Sequence, residues 1–173
     1  MLEIRESGLM RRAMTAEMLD ADTERSLAEA WRDRGDDAAL HRLVTAYLRL
    51  AISMAMKFRR YGVPMGDLLQ ESIVGLMKAA EKFDPDRGVR FSTYAVWWIK
   101  ASIQDHVMRN WSLVRTGSTT VQKSLFFNLH RVRARLEREA RQRGEDLAGD
   151  ELLQAVADEL GVSLRDVTEM ERR

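Results

Sequence analysis

Three observations predict an all-α fold. Helix breakers are scarce, with 2 Pro and 10 Gly in 173 residues, while Ala, Leu, Met, Arg and Glu dominate. Apolar residues recur at three-and-four spacing along most of the chain, and no segment alternates convincingly at the strand period. Hydrophobic residues make up 45% and charged residues 32%, enough to bury the core of one or two small domains and too apolar for a disordered tail.

Taken in order, residues 1–14 read as an N-terminal tail. Thr15 is a plausible cap for a first helix whose apolar positions Met18, Leu19, Leu27, Ala30 and Trp31 precede a stop at Gly35. A second helix begins near Asp36 or Asp37 and carries Leu40, Leu43, Val44, Tyr47, Leu48, Ala51, Ile52, Ala55 and Met56, until Gly62 and Pro64 end it. Leu68, Leu69, Ile73, Leu76, Met77 and Ala80 mark a third, closed by the turn Asp84-Pro85-Asp86-Arg87-Gly88. Ser92 is expected to cap a fourth, which runs to about Asn110. A Ser-, Thr- and Gly-rich loop at 111–119 is the best domain boundary, separating 15–114 from 115–173. A basic fifth helix spans roughly Thr120 to Arg143, and a polar joint from Gly144 to Gly149 leads to two short helices separated by Gly161-Val162-Ser163.

Composition excludes several classes of function. Without cysteine there is no disulfide framework, thiol nucleophile or thiolate metal site. No apolar run approaches the roughly 18 residues of a membrane span, and the charged N-terminus lacks the apolar core of a signal peptide, so a cytoplasmic protein is expected. His41, His106 and His130 fall on different expected helices without a ligand pattern, and no carboxylate pair is distinguished. Neither metal, cofactor nor catalysis is therefore expected.

Net charge is only +1, but its distribution is uneven: residues 98–143 hold 10 basic and 3 acidic side chains, a net of +7, and residues 144–173 hold 3 and 9, a net of −6. The basic stretch suits either a polyanion surface or a solvated helix face. Five of the twelve aromatics, Phe91, Tyr94, Trp97, Trp98 and Trp111, fall between 91 and 111. On a helix Phe91, Tyr94, Trp98 and Ala101 share one face, and Trp97, Lys100 and Gln104 an adjacent one. An aromatic stripe is commonly core. An indole beside a cation and an amide also suits stacking of unpaired bases, at about 1–3 kcal/mol per base.

The runs Leu68-Leu69-Gln70-Glu71, Gly75-Leu76-Met77-Lys78-Ala79, Lys82-Phe83-Asp84 and Arg90-Phe91-Ser92-Thr93-Tyr94-Ala95-Val96-Trp97-Trp98-Ile99-Lys100 resemble region 2 of bacterial RNA polymerase sigma factors of the sigma-70 family. Upstream, Tyr47-Leu48-Arg49-Leu50 continues the likeness, and the surroundings of Ala30-Trp31 and Gly35-Asp36 resemble region 1.2. Downstream, Gln122-Lys123-Ser124-Leu125-Phe126-Phe127-Asn128-Leu129-His130 resembles the box that marks heat-shock sigma factors, and the last helices resemble region 3. The resemblance implies a multi-helix region 2 domain followed by a smaller three-helix region 3 domain. No stretch of the sequence resembles region 4, and the acidity of 150–173 argues against groove insertion there.

The implied function is that of a specificity subunit: it docks on core RNA polymerase, directs it to promoter DNA and captures the melted non-template strand of the minus-ten element. Chaperones and a regulatory protease are further partners that a heat-shock factor would have. By position, Tyr94 matches the family residue that stacks on a flipped adenine, and Trp97 and Trp98 match the wedge at the upstream fork. Arg87, Phe91 and Thr93 match neighbours of that strand, Lys100 and Gln104 lie on the recognition part of the same helix, and Arg115 completes the DNA-binding set. Asp67, Gln70, Glu71 and Met77 match the helix that grips the largest core subunit, and Phe126 and Phe127 are expected at a polymerase or chaperone surface. Val89, Tyr47, Ala101, Thr119 and Gln122 depart from the housekeeping pattern, which implies a different promoter vocabulary. The competing reading is a helical regulator that binds polymerase or a chaperone without melting DNA; such a protein has no need of exposed aromatics.

Overall fold

The computed structural model describes residues 2–111 and 120–172, all of whose regular elements are helical. The chain divides into two compact units, Met1–Asn110 and Trp111–Arg173. Arg115 and most of the expected loop at 111–119 lie outside the described residues.

The first unit contains α1 (Leu2–Thr15), α2 (Ala21–Arg34), α3 (Asp37–Ala46), α4 (Leu48–Lys57), α5 (Met65–Lys82) and α6 (Phe91–Trp111). The expected tail is instead α1, packed on α3 and α4 through the fully buried Ala13. Thr15 ends that helix, its hydroxyl donating back to the Arg11 carbonyl at 2.9 Å. The cap of α2 is Asp20, whose carboxylate accepts the Thr23 N–H at 2.7 Å and is held below the usual carboxylate range by that bond. Gly35, at φ +62°, closes α2: its N–H reaches the Trp31 carbonyl and the Asp36 N–H the Ala30 carbonyl, a pairing that requires the left-handed conformation.

The expected second helix is two helices. Asp36 caps α3 through the N–H groups of Ala38 and Ala39, and the ladder then breaks at Tyr47, which adopts φ −106° and ψ 12°. Its hydroxyl is committed to a partner on α2, and a tertiary bond of that kind overrides local helix propensity.

The core of this unit is built from small and branched side chains. Leu43, Ala51, Ala55, Leu68, Leu76 and Ala79 are fully buried where α3, α4 and α5 meet. On α6 the buried stripe is Phe91, Ala95, Ile99, Ile103 and Val107, a run at intervals of four. It replaces the expected stripe through Tyr94, Trp98 and Ala101, since four-residue spacing with small and branched side chains fits the surface of α5. Gly75 sets how closely the two helices approach: a Cβ there would lie 2.8 Å from both the Ile99 Cα and the Trp98 carbonyl oxygen. Only glycine fits at that separation.

The second unit contains α7 (Thr120–Arg143), α8 (Asp150–Leu160) and α9 (Leu164–Glu171). Leu129, Val132, Leu152, Val156, Ala157 and Val167 form its core, joined by Leu136, Leu147, Val162 and Met170. Ser163 caps α9 at the Asp166 N–H, and Gly161 closes α8. Arg133 pairs with Glu171 and Arg135 with Glu159, so basic residues of α7 are matched by acids of α8 and α9 within the unit.

Gly75→Ala is expected to lower stability by about 1–3 kcal/mol, because the atoms it would strike are backbone and cannot rotate away. Gly8→Ala, where nothing lies within 4 Å, should be neutral or stabilising by up to about 1 kcal/mol. Urea unfolding midpoints of the two variants check the contrast.

Candidate nucleic-acid interface

The start of α6 is fixed by a carboxylate far away in sequence. Glu24, near the start of α2, is only 3% exposed, and a buried charge must be fully bonded to be tolerated. Its Oε1 accepts the Phe91 N–H at 2.7 Å, which satisfies one of the free donors in the first turn of α6 and places negative charge at the positive end of that helix. Arg90 pairs with it through Nε at 3.2 and 3.3 Å and through Nη2 at 3.1 Å, while also donating to the Leu19 carbonyl at 3.1 Å. Tyr47 donates its phenol to the same carboxylate. Burial, and then the hydrogen bond and charge of Glu24, push that phenol up to about 12, with Arg90 opposing.

A second link joins α2 to the turn before α6. Arg25 and Arg32 meet opposite oxygens of Asp86 at 2.8 and 2.6 Å, and the Trp31 indole donates to the Glu81 carbonyl at 3.2 Å. These exposed pairs are individually weak. Together they hold the turn at Pro85–Arg87 against α2.

This framework presents one face of α6 to solvent. Thr93, Trp97, Lys100 and Gln104 follow one another at intervals of three or four residues; the first three are exposed and Gln104 is half-buried. Trp97 is 73% exposed, an unusual position for an indole that no packing requires. Tyr94 and Trp98 flank this row, half-buried, their rings 6.2 Å apart and edge-on. Tyr94 also leans on Phe83 at 5.7 Å and donates to the Lys82 carbonyl at 3.4 Å. Lys82, not anticipated from the sequence, places its ammonium 5.5 Å from the centroid of the Trp98 ring. Arg87 is exposed, 3.6 Å from Asp84. The arrangement offers flat rings for stacking beside cations that can hold phosphate.

One expected member of this surface belongs elsewhere. Phe91 is fully buried, packed edge-on against Tyr47 at 4.9 Å and Phe83 at 5.3 Å, so it supports the face from beneath and does not form part of it. Tyr47, one of the departures from the housekeeping pattern, is held by Glu24 and Phe91.

The outer side of α5 carries a second surface. Asp67, Gln70, Val74 and Met77 form an exposed row, with Val74 40% and Met77 45% exposed; Val74 was not singled out from the sequence. Glu71, expected on this surface, instead turns toward α6, where it accepts from Ser102 at 3.0 Å and lies 3.4 Å from His106 and 3.7 Å from Arg109. Glu71 points away from the surface that its neighbour Gln70 occupies because a step of one residue rotates the side chain to another side of the helix.

In the second unit, Phe126 is only 2% exposed, edge-on to His130 at 4.5 Å and to Phe127 at 5.2 Å. It is not the exposed residue the sequence suggested, because Phe126 and Leu129, three apart, are both turned inward. Phe127 is half-buried, and the side chains of Gln122 and Lys123 lie outside the described residues. Among the described residues no cluster of His, Asp or Glu could hold a metal ion, and no helix is long and apolar enough to cross a membrane.

Residues 43–113, which include α4, α5 and α6, match the family model of sigma-70 region 2. Over 156 residues, 90% of its length, the chain is 46% identical to the RNA polymerase sigma factor RpoH of Caulobacter vibrioides, covering 52% of that protein. It is 46% identical to RpoH of Rhizobium radiobacter and 45% identical to the RNA polymerase sigma-C factor of Myxococcus xanthus, each over the same share of this chain and 51% of the relative. The chain thus spans about half the length of the curated relatives it matches.

The raised Tyr47 phenol has a consequence for stability. Its ordinary pKa near 10 applies in the unfolded chain, so its contribution is fully present below pH 10 and is lost as pH rises toward about 12. The stability difference between the wild type and Tyr47→Phe is therefore expected to be constant below pH 10 and to narrow between pH 10 and 12, measured by urea unfolding at each pH.

Proposed function

We propose that the chain is the promoter-recognising and core-binding part of an alternative sigma factor of the heat-shock type, which brings core RNA polymerase to promoters and stabilises the melted minus-ten element. The observation that carries this reading is Trp97, a large aromatic held almost wholly in solvent on a helix whose core needs it for nothing, within the match to region 2. The names of the relatives, RpoH above all, support the heat-shock assignment.

In this reading Tyr94, Trp97 and Trp98 receive bases of the non-template strand. Stacking rewards only bases already out of the duplex, so these rings act by stabilising the open state, while Arg87, Lys82 and Lys100 attract backbone phosphates on duplex and single strand alike. Thr93 and Gln104 are the polar groups positioned to contact a base edge or sugar. The α5 row receives core polymerase: Val74 and Met77 form an apolar centre, with Asp67 and Gln70 as its polar rim. Residues 115–173 act as region 3. Their heat-shock-type box contributes Phe127 as its contact residue, with Phe126 as an internal anchor.

Trp97→Ala is expected to leave unfolding stability within about 0.5 kcal/mol, since the side chain is 73% exposed. Holoenzyme carrying Trp97→Ala or Tyr94→Ala should form closed complexes normally yet open promoters roughly ten- to a hundredfold less, the equivalent of about 1–3 kcal/mol of lost stacking per base. A template with a pre-melted minus-ten bubble should restore most of the activity. Normal opening of duplex promoters by both variants, read by 2-aminopurine fluorescence, would remove the strand-capture role.

Val74→Glu and Gln70→Ala should weaken binding to core polymerase, the former by about tenfold or more through a charge placed in a desolvated contact, with thermal stability unchanged. Glu71→Ala serves as the contrast: it should lower stability first, through the lost contacts to α6. Competition for core against a labelled housekeeping factor separates the two effects.

A further inference from the structure

A third surface of the first unit belongs to neither the aromatic face nor the α5 row. Between α1 and α4 runs an open groove of about 780 Å³ that continues to the turn at Arg59–Tyr61. Its floor is apolar and well packed, formed by the buried Ala13 and Ile52. Its walls are thioethers left in water: Met10 is 43%, Met14 68% and Met56 45% exposed. Three exposed methionines around a single trough form an adaptable apolar surface, of the kind that accepts helices without demanding one shape.

The charge that the described residues place around this groove is of one sign. Arg49, Lys57, Arg59 and Arg60 line it, and among the described residues no carboxylate does. Several other basic side chains of the unit meet acids: Arg25 meets Glu29 and Asp86, Arg32 meets Asp33 and Asp86, Arg42 meets Glu17 at 2.5 Å, and Arg90 meets Glu24. Lys57, Arg59 and Arg60 form no ion pair with any described residue. Arg49 is held at the edge by the Ala16 carbonyl at 3.4 Å and the Met18 sulfur at 2.8 Å, with its charge uncompensated by any described acid. A basic rim over an apolar floor calls for an occupant that is acidic at its edges and apolar along one side.

We propose that this groove receives an amphipathic α-helix of a partner protein, with aliphatic residues facing the methionines and Asp or Glu residues facing Arg49, Lys57, Arg59 and Arg60. A nucleic acid fits less well: it would use the cations and leave the thioethers wet, and among the described residues no ring lines the groove for a base to stack on. The inference stands independently of the promoter-binding reading, since none of its residues lies on α5 or α6.

The test uses the full chain with methyl-labelled methionine and a labelled synthetic peptide, a lactam-stapled amphipathic helix with Leu on one face and Glu on the flanks. Binding followed by anisotropy should be salt-dependent, and the methyl signals of Met10, Met14 and Met56 should shift while that of Met77, on the α5 row, does not. Met56→Glu and the double variant Arg59→Glu/Arg60→Glu, both at exposed positions, should each weaken binding at least tenfold while circular dichroism is unchanged. A peptide with Lys in place of Glu should bind at least tenfold more weakly than the acidic one, and should recover affinity on the doubly reversed variant. Equal affinity for the acidic and basic peptides, or shifts confined to Met77, would overturn the proposal. So would a single-stranded oligonucleotide that displaces the acidic peptide and shifts the same three methyls, or self-association of the chain in sedimentation that Met56→Glu abolishes.

Discussion

The first unit depends on one buried carboxylate. Glu24 has lost almost all contact with water, and what replaces that hydration is a phenol, a guanidinium and a backbone N–H, drawn from two separate parts of the chain. Each of those partners is positioned in return. Tyr47 is placed at the break between α3 and α4, Arg90 is drawn back over α2, and the first turn of α6 is given both its missing acceptor and a charge of the sign its dipole favours. A charge that costs several kcal/mol to bury is retained where it aligns elements that apolar contact alone would leave free to slide.

With α6 anchored at its end, its packing can be accomplished by modest side chains. Ala95, Ile99, Ile103 and Val107 fill the interface, and Gly75 lets the backbones come close. The large rings are left over. Tyr94 and Trp98 rest half-buried against Phe83 and each other, and Trp97 stands clear, so the rings of greatest area lie where a further flat molecule can reach them. Among the described rings of α6 only Phe91, at the anchored end, is drawn into the core, where it heads the buried row of Ala95, Ile99, Ile103 and Val107.

What could be read in the sequence follows the range of the forces involved. The extents of α5, α7, α8 and α9 and the joints between them were legible, since caps, turn glycines and apolar spacing act over a few residues. The helix in place of the N-terminal tail was not, because its buried stripe is little more than Ala13. The break at Tyr47 and the start of α6 at Phe91 were illegible for a different reason: both are bonded to Glu24, which is 67 residues from Phe91 and resembles any other surface acid when read locally. At the candidate interface, Thr93, Tyr94, Trp97, Trp98 and Lys100 were found because residue type and helical spacing suffice to place them. Lys82 and Val74 were missed, since their roles rest on which ring or row they fall beside, and Glu71 was misplaced by a single step around the helix.

The close approach at Gly75 has a mechanical meaning. Where two helices touch backbone to backbone there is no cushion of side chains to shear, and the outer row of α5 and the aromatic face of α6 become two sides of one stiff plate. Whatever holds one side also sets the bearing of the other. A machine that clamps the α5 side is handed the rings of α6 at a fixed reach and angle, like a blade forged in one piece with its handle, and it need make no further adjustment to aim them.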